Sequence, residues 1–294
     1  MRIGCLGEVM LELVTTGDTS CQLGVAGDTY NTSVYLARGA LEGQVDYITI
    51  LGKDGFSDRI RAHMNDYNVG TSRVLTHPTR HPGLYAIETD EEGERSFTYW
   101  RTEAAVRSLG EPDFPSFDQL FEGLSHVYYS GISLAILTQK SRDLLFTALA
   151  AFRANGGIVA FDSNYRPNLW NDKELAQAET TRAWSSCDIG LPSIDDEMFL
   201  FEDASEDDVL ERFQGYGIAE GALKRGAQGP ITLGGIAMPT DGTKVKVVDT
   251  TAAGDSFNAG YLSACLSGQN QMERMKAGHN LAKQVIGQRG AIIF

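Results

Sequence analysis

Near the C-terminal end, the run from Asp249 through Thr250, Thr251, Ala252, Ala253 and Gly254 to Asp255 puts two hydroxyls, three small residues and a carboxylate in a row. An apolar spacing follows, Phe257, Tyr261, Leu262 and Cys265, which is that of a helix. The first amides of a helix have no intrahelical acceptor and carry the positive end of its dipole, so such a turn can receive a phosphate or a developing anion. Ala252, Ala253 and Gly254 leave that approach open. In this place Asp255 serves as a helix cap or as a general base aimed at a substrate hydroxyl, and the residues alone leave both readings standing. With Gly254 its only glycine, the turn is poorer in glycine than most phosphate cradles.

Other chemistries are less well supplied. Gly215–Gly221 (GYGIAEG) has the wrong spacing for a dinucleotide fingerprint and reads as a helix stop before a strand. No GxxxxGK[ST], GxSxG or HExxH motif occurs. The four cysteines, Cys5, Cys21, Cys187 and Cys265, are scattered, which argues against a structural zinc and for reduced thiols. A net charge of −14 over 294 residues repels nucleic acid and anionic lipid, so neither is an expected partner. A membrane span would need an unbroken apolar run of about 18 residues, and there is none. The expected setting is the cytoplasm.

The elements that must hold the turn are legible from periodicity. RIGCLG, VDYITILG, HVYYSGISL, GIVAFDSN, CDIGLPS and GALKRG read as strands, and KVKVV as one leading into the turn. Helical spacing marks NTSVYLARGALEG, with Thr29 or Asn31 as N-cap, and also GFSDRIRAHMNDYNV, SRDLLFTALAAFRAN, DDVLERF and SFNAGYLSACLSG. This alternation predicts an α/β fold, a doubly wound and mainly parallel sheet with helices on both faces. Residues 9–25 and 80–101 break the rhythm as antiparallel strands, GLYAIETDEEGERSFTYW being a hairpin around a charged turn. They predict a small antiparallel β-sheet lid on a single domain spanning 1–294. Tyr99 and Arg101 share a face of the second hairpin strand, and of Tyr99 and Trp100 one is expected in the core.

The turn resembles the C-terminal signature D-T-x-G-A-G-D of the ribokinase-like (PfkB) carbohydrate kinases, with Ala252 in place of the first glycine. GVAGDTYNTSVYLAR (Gly24–Arg38) is similar to the family's N-terminal signature, with Ala26 for its first glycine. GEVMLEL, PGLYAIE, YWR, YSGISLAIL, FDSNYRPNLW, LKRGAQG and QRGAII look like the branch of this family that phosphorylates 2-dehydro-3-deoxygluconate (KDG). The similarity keeps its order over essentially the whole chain.

The resemblance implies that Asp255 is the base taking the sugar's terminal hydroxyl proton, with Ala252, Ala253 and Gly254 as an anion hole. It assigns the sugar to Gly27, Asp28, Asn31, Tyr85, Tyr99, Arg101 and Arg166. Two arginines suit a sugar acid, because guanidinium matches carboxylate as a fork, although Arg166 could instead face the γ-phosphate. Nucleotide falls to Asn164, Arg166, Lys224, Arg225, Gly226, Ala227, Gly229, Gly254 and Asn280. The cofactors implied are ATP and Mg²⁺. Related kinases organise the metal through an N-x-x-E segment; here Ser193 stands for the asparagine, and Asp196 or Glu197 supplies the acid. The alternatives are a kinase for fructose, ribose or a galactonate-derived keto-deoxy acid, or a sugar-sensing protein without catalysis. The lid's apolar strands, carrying Leu84, Ala86 and Phe97, predict a dimer or higher homo-oligomer.

Overall fold

A computed structural model describes residues 1–17, 19–39, 41, 43–89, 95–218, 220–239 and 245–293. The first part of the chain runs through β1 (Ile3–Leu6), β2 (Met10–Gly17), β3 (Ser20–Ala26), α1 (Asp28–Arg38), β4 (Val45–Leu51), α2 (Gly55–Asp66), β5 (Val74–Thr76), β6 (Gly83–Thr89) and β7 (Arg95–Trp100). Then come α3 (Phe117–Phe121), β8 (His126–Ser130), α4 (Gly131–Ile136), α5 (Gln139–Ala154), β9 (Ile158–Asp162), α6 (Lys173–Trp184) and β10 (Ile189–Gly190). The last elements are α7 (Ile194–Phe201), α8 (Glu206–Tyr216), β11 (Glu220–Leu223), β12 (Ile231–Thr232), α9 (Ala253–Leu266) and α10 (Gln271–Ile286).

Eight of the described strands form one sheet in the order β12-β11-β10-β9-β8-β1-β4-β5. All its pairs are parallel except β11 with β12. The strands are buried on both sides, and successive side chains enter opposite cores. Ile48, Ile50, Val127, Tyr129, Val159 and Phe161 join the core beneath α3–α8. Val45, Tyr47, Tyr128 and Ala160 join the one beneath α1, α2, α9 and α10. The chain leaves β1 toward β4 on one side and continues from β8 toward β9 on the other, so strand order reverses between β1 and β8. In open α/β sheets such a switch point opens a crevice at the carboxyl ends of the strands.

The lid is a separate sheet in the order β3-β2-β6-β7. It is mixed and not antiparallel throughout as expected, because two separate hairpins join side by side: β2 and β6 are parallel, with an antiparallel partner on each side. Neither Tyr99 nor Trp100 is core: Phe97, Tyr99 and Trp100 are 46%, 50% and 58% exposed along the edge strand β7. The hairpin's turn, 90–94, lies outside the described residues.

Three further expectations from the sequence are corrected. Helix α1 has Gly27 at its N-cap position, with Thr29 and Asn31 inside its first turns: Thr29 Oγ1 is bonded to Tyr47 OH, and Asn31 accepts from Gly27 N–H while donating to Asp255. GISL is helix and not strand, since Ser130 and Ser133 each accept the other's backbone N–H in a capping box that starts α4. Among the described residues of KVKVV, Val245–Val248, there is no strand; Val247 and Val248 are exposed, and Val248 N–H is spent on the Ile286 carbonyl.

Helix α9, which follows the turn from Asp249 to Ala252, is seated against α10 at two glycines. A Cβ on Gly260 would lie 2.7 Å from the Ala277 carbonyl oxygen, and one on Gly278 2.7 Å from that of Phe257. Gly260→Ala therefore forces backbone apart and should lower stability by about 1–3 kcal/mol, read as a shifted urea midpoint at unchanged slope.

Candidate active site

Asp28, Asn31, Asn164, Lys224 and Asp255, all singled out by the sequence, come from elements far apart in the chain and gather beside the ends of β8, β9 and β11. Asp255 lies in the first turn of α9 and its Oδ2 accepts from Asn31 Nδ2 on α1 at 2.8 Å. Thr32 Oγ1, one residue on, donates to the Asp255 carbonyl at 3.1 Å, so α1 holds both ends of this residue. Asp28 Oδ2 accepts from Ser130 Oγ at 2.5 Å and from Asn164 Nδ2 at 2.7 Å. Gly27 has an extended φ of 170°, not a left-handed one; glycine is required because a Cβ would sit 2.2 Å from the Glu8 carbonyl oxygen.

The turn before α9 has its own fastening. Asp249 Oδ1 accepts from Thr251 N–H at 3.0 Å and Thr251 Oγ1 at 2.7 Å, while Oδ2 accepts from Gly290 N–H at 2.9 Å. Ala253 N–H is already bonded to the Thr250 carbonyl at 3.2 Å. Among the described residues no acceptor takes the Gly254 or Asp255 amide, whereas the Ala253 amide is spent within the turn. Ala252 adopts φ 59° and ψ 19°, the left-handed region, which is the physical reason a glycine stands there in the family signature it resembles.

Behind the turn is a charged network that the sequence did not reveal. Lys224, just past β11, donates to Asp162 Oδ1 at 2.7 Å and to Asn258 Oδ1 at 3.1 Å. Asn258 Nδ2 returns to Asp162 Oδ2 at 2.7 Å and to Tyr128 OH at 3.0 Å. Burial, the charges of Asp28 and Asp162, and only partial relief from Asn31 and Lys224 push the Asp255 carboxyl up to about 8. Burial likewise raises Asp28 and Asp196 above the ordinary carboxylate range.

The two arginines are held by separate carboxylates. Arg101 is buried in an ion pair with buried Glu8, over the Tyr99 ring, and Tyr85 OH donates to Glu12 while its ring stacks on Tyr99 at 5.7 Å. Arg166 is half exposed and 3.5 Å from Asp196. Of the two candidate acids at 193–197, Asp196 faces the cleft, its Oδ2 accepting from Ser163 Oγ at 3.4 Å. Glu197 is fully buried between Trp184 Nε1 and Arg212, a structural role. Arg225 turns inward to Glu206 and the Gly229 carbonyl, locking the Gly226–Gln228 turn. Ala227 is exposed on that turn, and Asn280 is exposed on α10.

A family model described as pfkB family carbohydrate kinase matches residues 2–294. The chain belongs to the pfkB family of carbohydrate kinases. Within this family it is 45% identical to the 2-dehydro-3-deoxygluconokinase of Dickeya dadantii, over 99% of this chain and 96% of that one. Identity to the Escherichia coli protein of the same name is 42%, covering 99% and 97%. A fructokinase double mutant from Vibrio cholerae, solved with fructose, ADP and potassium ion, superposes with a TM-score of 0.84 at 27% identity, covering 99% and 93%. The sequence reading of a PfkB-type fold thus holds over the chain. Among the described residues no helix is long and apolar enough to cross a membrane.

In this kinase the left-handed Ala252 costs stability that a glycine would not. Ala252→Gly should raise stability by about 0.5–1 kcal/mol with turnover retained, measured by chemical denaturation beside a kinase assay.

Proposed function

We propose that this kinase transfers the γ-phosphoryl group of ATP to the terminal 6-hydroxyl of 2-dehydro-3-deoxy-D-gluconate, giving the 6-phosphate, in the cytoplasm. The observation that carries the substrate is the naming of relatives at 42–45% identity over 99% of the chain. The residue types at Arg101 and Arg166 agree with it, because two guanidiniums would suit a sugar acid better than a neutral hexose.

Asp255 is the general base. It accepts the hydroxyl proton as the oxygen attacks phosphorus, and Asn31 fixes its carboxylate while doing so. The amides at the start of α9, in the stretch from Ala252 to Asp255, receive the negative charge of the transferring group. Gly27, Asp28, Asn31, Tyr85, Tyr99, Arg101 and Arg166 bind the sugar, with Asn164 keeping Asp28 in place. Nucleotide lies along Asn164, Arg166 and Lys224–Gly229 toward Gly254 and Asn280. Mg²⁺ accompanies ATP and neutralises its phosphates. The donors facing the cleft, the Asp196 carboxyl and Ser163 hydroxyl, are hard oxygens that fit its water shell, and among the described residues no three acidic, His or Cys side chains converge into a cage. The domain is a single one, residues 1–294, with the lid at 9–25 and 80–101, and the exposed edge of β7 pairs two copies into a dimer or larger assembly.

A coupled assay with ATP and Mg²⁺ across KDG, its galactonate-derived epimer, fructose and ribose should show the highest kcat/KM for KDG; preference for a neutral sugar overturns the substrate assignment. Asp255→Asn should reduce kcat by about 10²–10⁴-fold with ligand binding retained, which also separates an enzyme from a sugar sensor. Because the raised carboxyl must be ionised to act, kcat/KM should fall about tenfold per pH unit below its pKa, and a profile flat down to pH 5 contradicts the base. Light scattering at micromolar concentration should give a dimer or larger, and a monomer would count against the lid interface.

A further inference from the structure

We propose that Lys224 is a catalytic residue of this kinase, its ammonium contacting the phosphoryl group in flight rather than merely lining the nucleotide groove. The inference rests on the phosphoryl-transfer reading above. Lys224 Nζ lies 3.7 Å from where a Cβ on Gly254 would be, at the start of α9. Its side chain is only 11% exposed, so its reach is set by the fold and not by a swinging stem.

The bonds to Asp162 and Asn258 engage two of its three N–H donors, and Asn258 braces Asp162 in turn. An ammonium has three donors and no acceptor. One donor is therefore left for a ligand at the mouth of α9.

The step balances without Lys224 giving up a proton. The sugar oxygen forms its bond to Pγ as the bond from Pγ to the bridging oxygen of ADP breaks, and Asp255 takes the hydroxyl proton. Lys224 meets the charge on the equatorial oxygens, where electrostatic contacts made in the transition state accelerate transfer. It also acts on the base. The groups facing Asp255 are Asp28, Asn31 and Tyr35 of α1, Tyr85 of β6, Tyr128 of β8, Asp162 of β9 and Lys224. Lys224 is the cation in this set and favours the ionised carboxylate that Asp28 and Asp162 disfavour.

The test compares wild type with Lys224→Met and Lys224→Arg, using whichever sugar acid the wild type phosphorylates. Lys224→Met should lower kcat by about 10²–10³-fold, the scale of losing one preorganised transition-state contact, with little change in KM for ATP. Its acid limb should move to higher pH, and Lys224→Arg should restore the limb. A raised KM for ATP at near-normal kcat, or an unmoved limb, overturns the proposal.

A readout without turnover is the melting temperature with Mg²⁺ and ADP, before and after adding fluoroaluminate as a mimic of the transferring phosphoryl. Wild type should gain stability from fluoroaluminate beyond that from ADP, and Lys224→Met should keep only the ADP gain; an equal fluoroaluminate gain in both overturns the proposal. If wild type phosphorylates none of the sugars, the function reading fails, and the melting comparison still decides the lysine. Should Lys224→Met not fold because Asp162 is left unpaired, the Lys224→Met, Asp162→Asn double variant removes both charges and carries the same comparison.

Discussion

The site depends on a crowding of negative charge. Asp28, Asp162 and Asp255 reach one end of the sheet from α1, β9 and α9, in a chain whose net charge is already −14. Buried carboxylates at this density survive only when each has donors or a cation. Ser130 and Asn164 serve Asp28, Lys224 and Asn258 serve Asp162, and Asn31 serves Asp255. Asp255 has the least support, a single side-chain donor, so the strain of the cluster falls on the group proposed to accept a proton.

The scaffold makes that arrangement rigid. The reversal of strand order beside β1 opens the crevice, and strands buried on both faces fix the depth at which Ser130, Asp162 and Lys224 end. The glycine contact between α9 and α10 sets the height of Asp255. Asp249 ties the preceding turn to Gly290, so the C-terminal segment closes behind the start of α9. Displacing any of these moves a charge in the cluster relative to the others.

Much of this was legible in the residues. Alternating buried strands and amphipathic helices are visible in the sequence as a doubly wound sheet, and the DTTAAGD turn singles out Asp255, which the fold places in the carboxylate cluster. What stayed hidden depends on contacts distant in sequence. Asp162, Asn258 and Tyr128 carry no local signal, because their partners lie 34 to 130 residues away. Spacing could not separate Asp196 from Glu197, neighbours on α7 that point to opposite environments. Val245–Val248 looks like a strand by composition, but among the described residues Val248 N–H is spent on the Ile286 carbonyl at the end of α10. Gly27 suggested a turn, whereas the requirement is backbone proximity to Glu8, which only the fold creates.

The measurement closest to the central claim is the titration of the Asp255 carboxyl itself, by infrared or carboxyl-carbon resonance difference between wild type and Asp255→Asn in the absence of ligands. The crowded cluster predicts ionisation near pH 8, shifted by burial and two neighbouring carboxylates. Titration at about 4, the value of an ordinary aspartate, would contradict it.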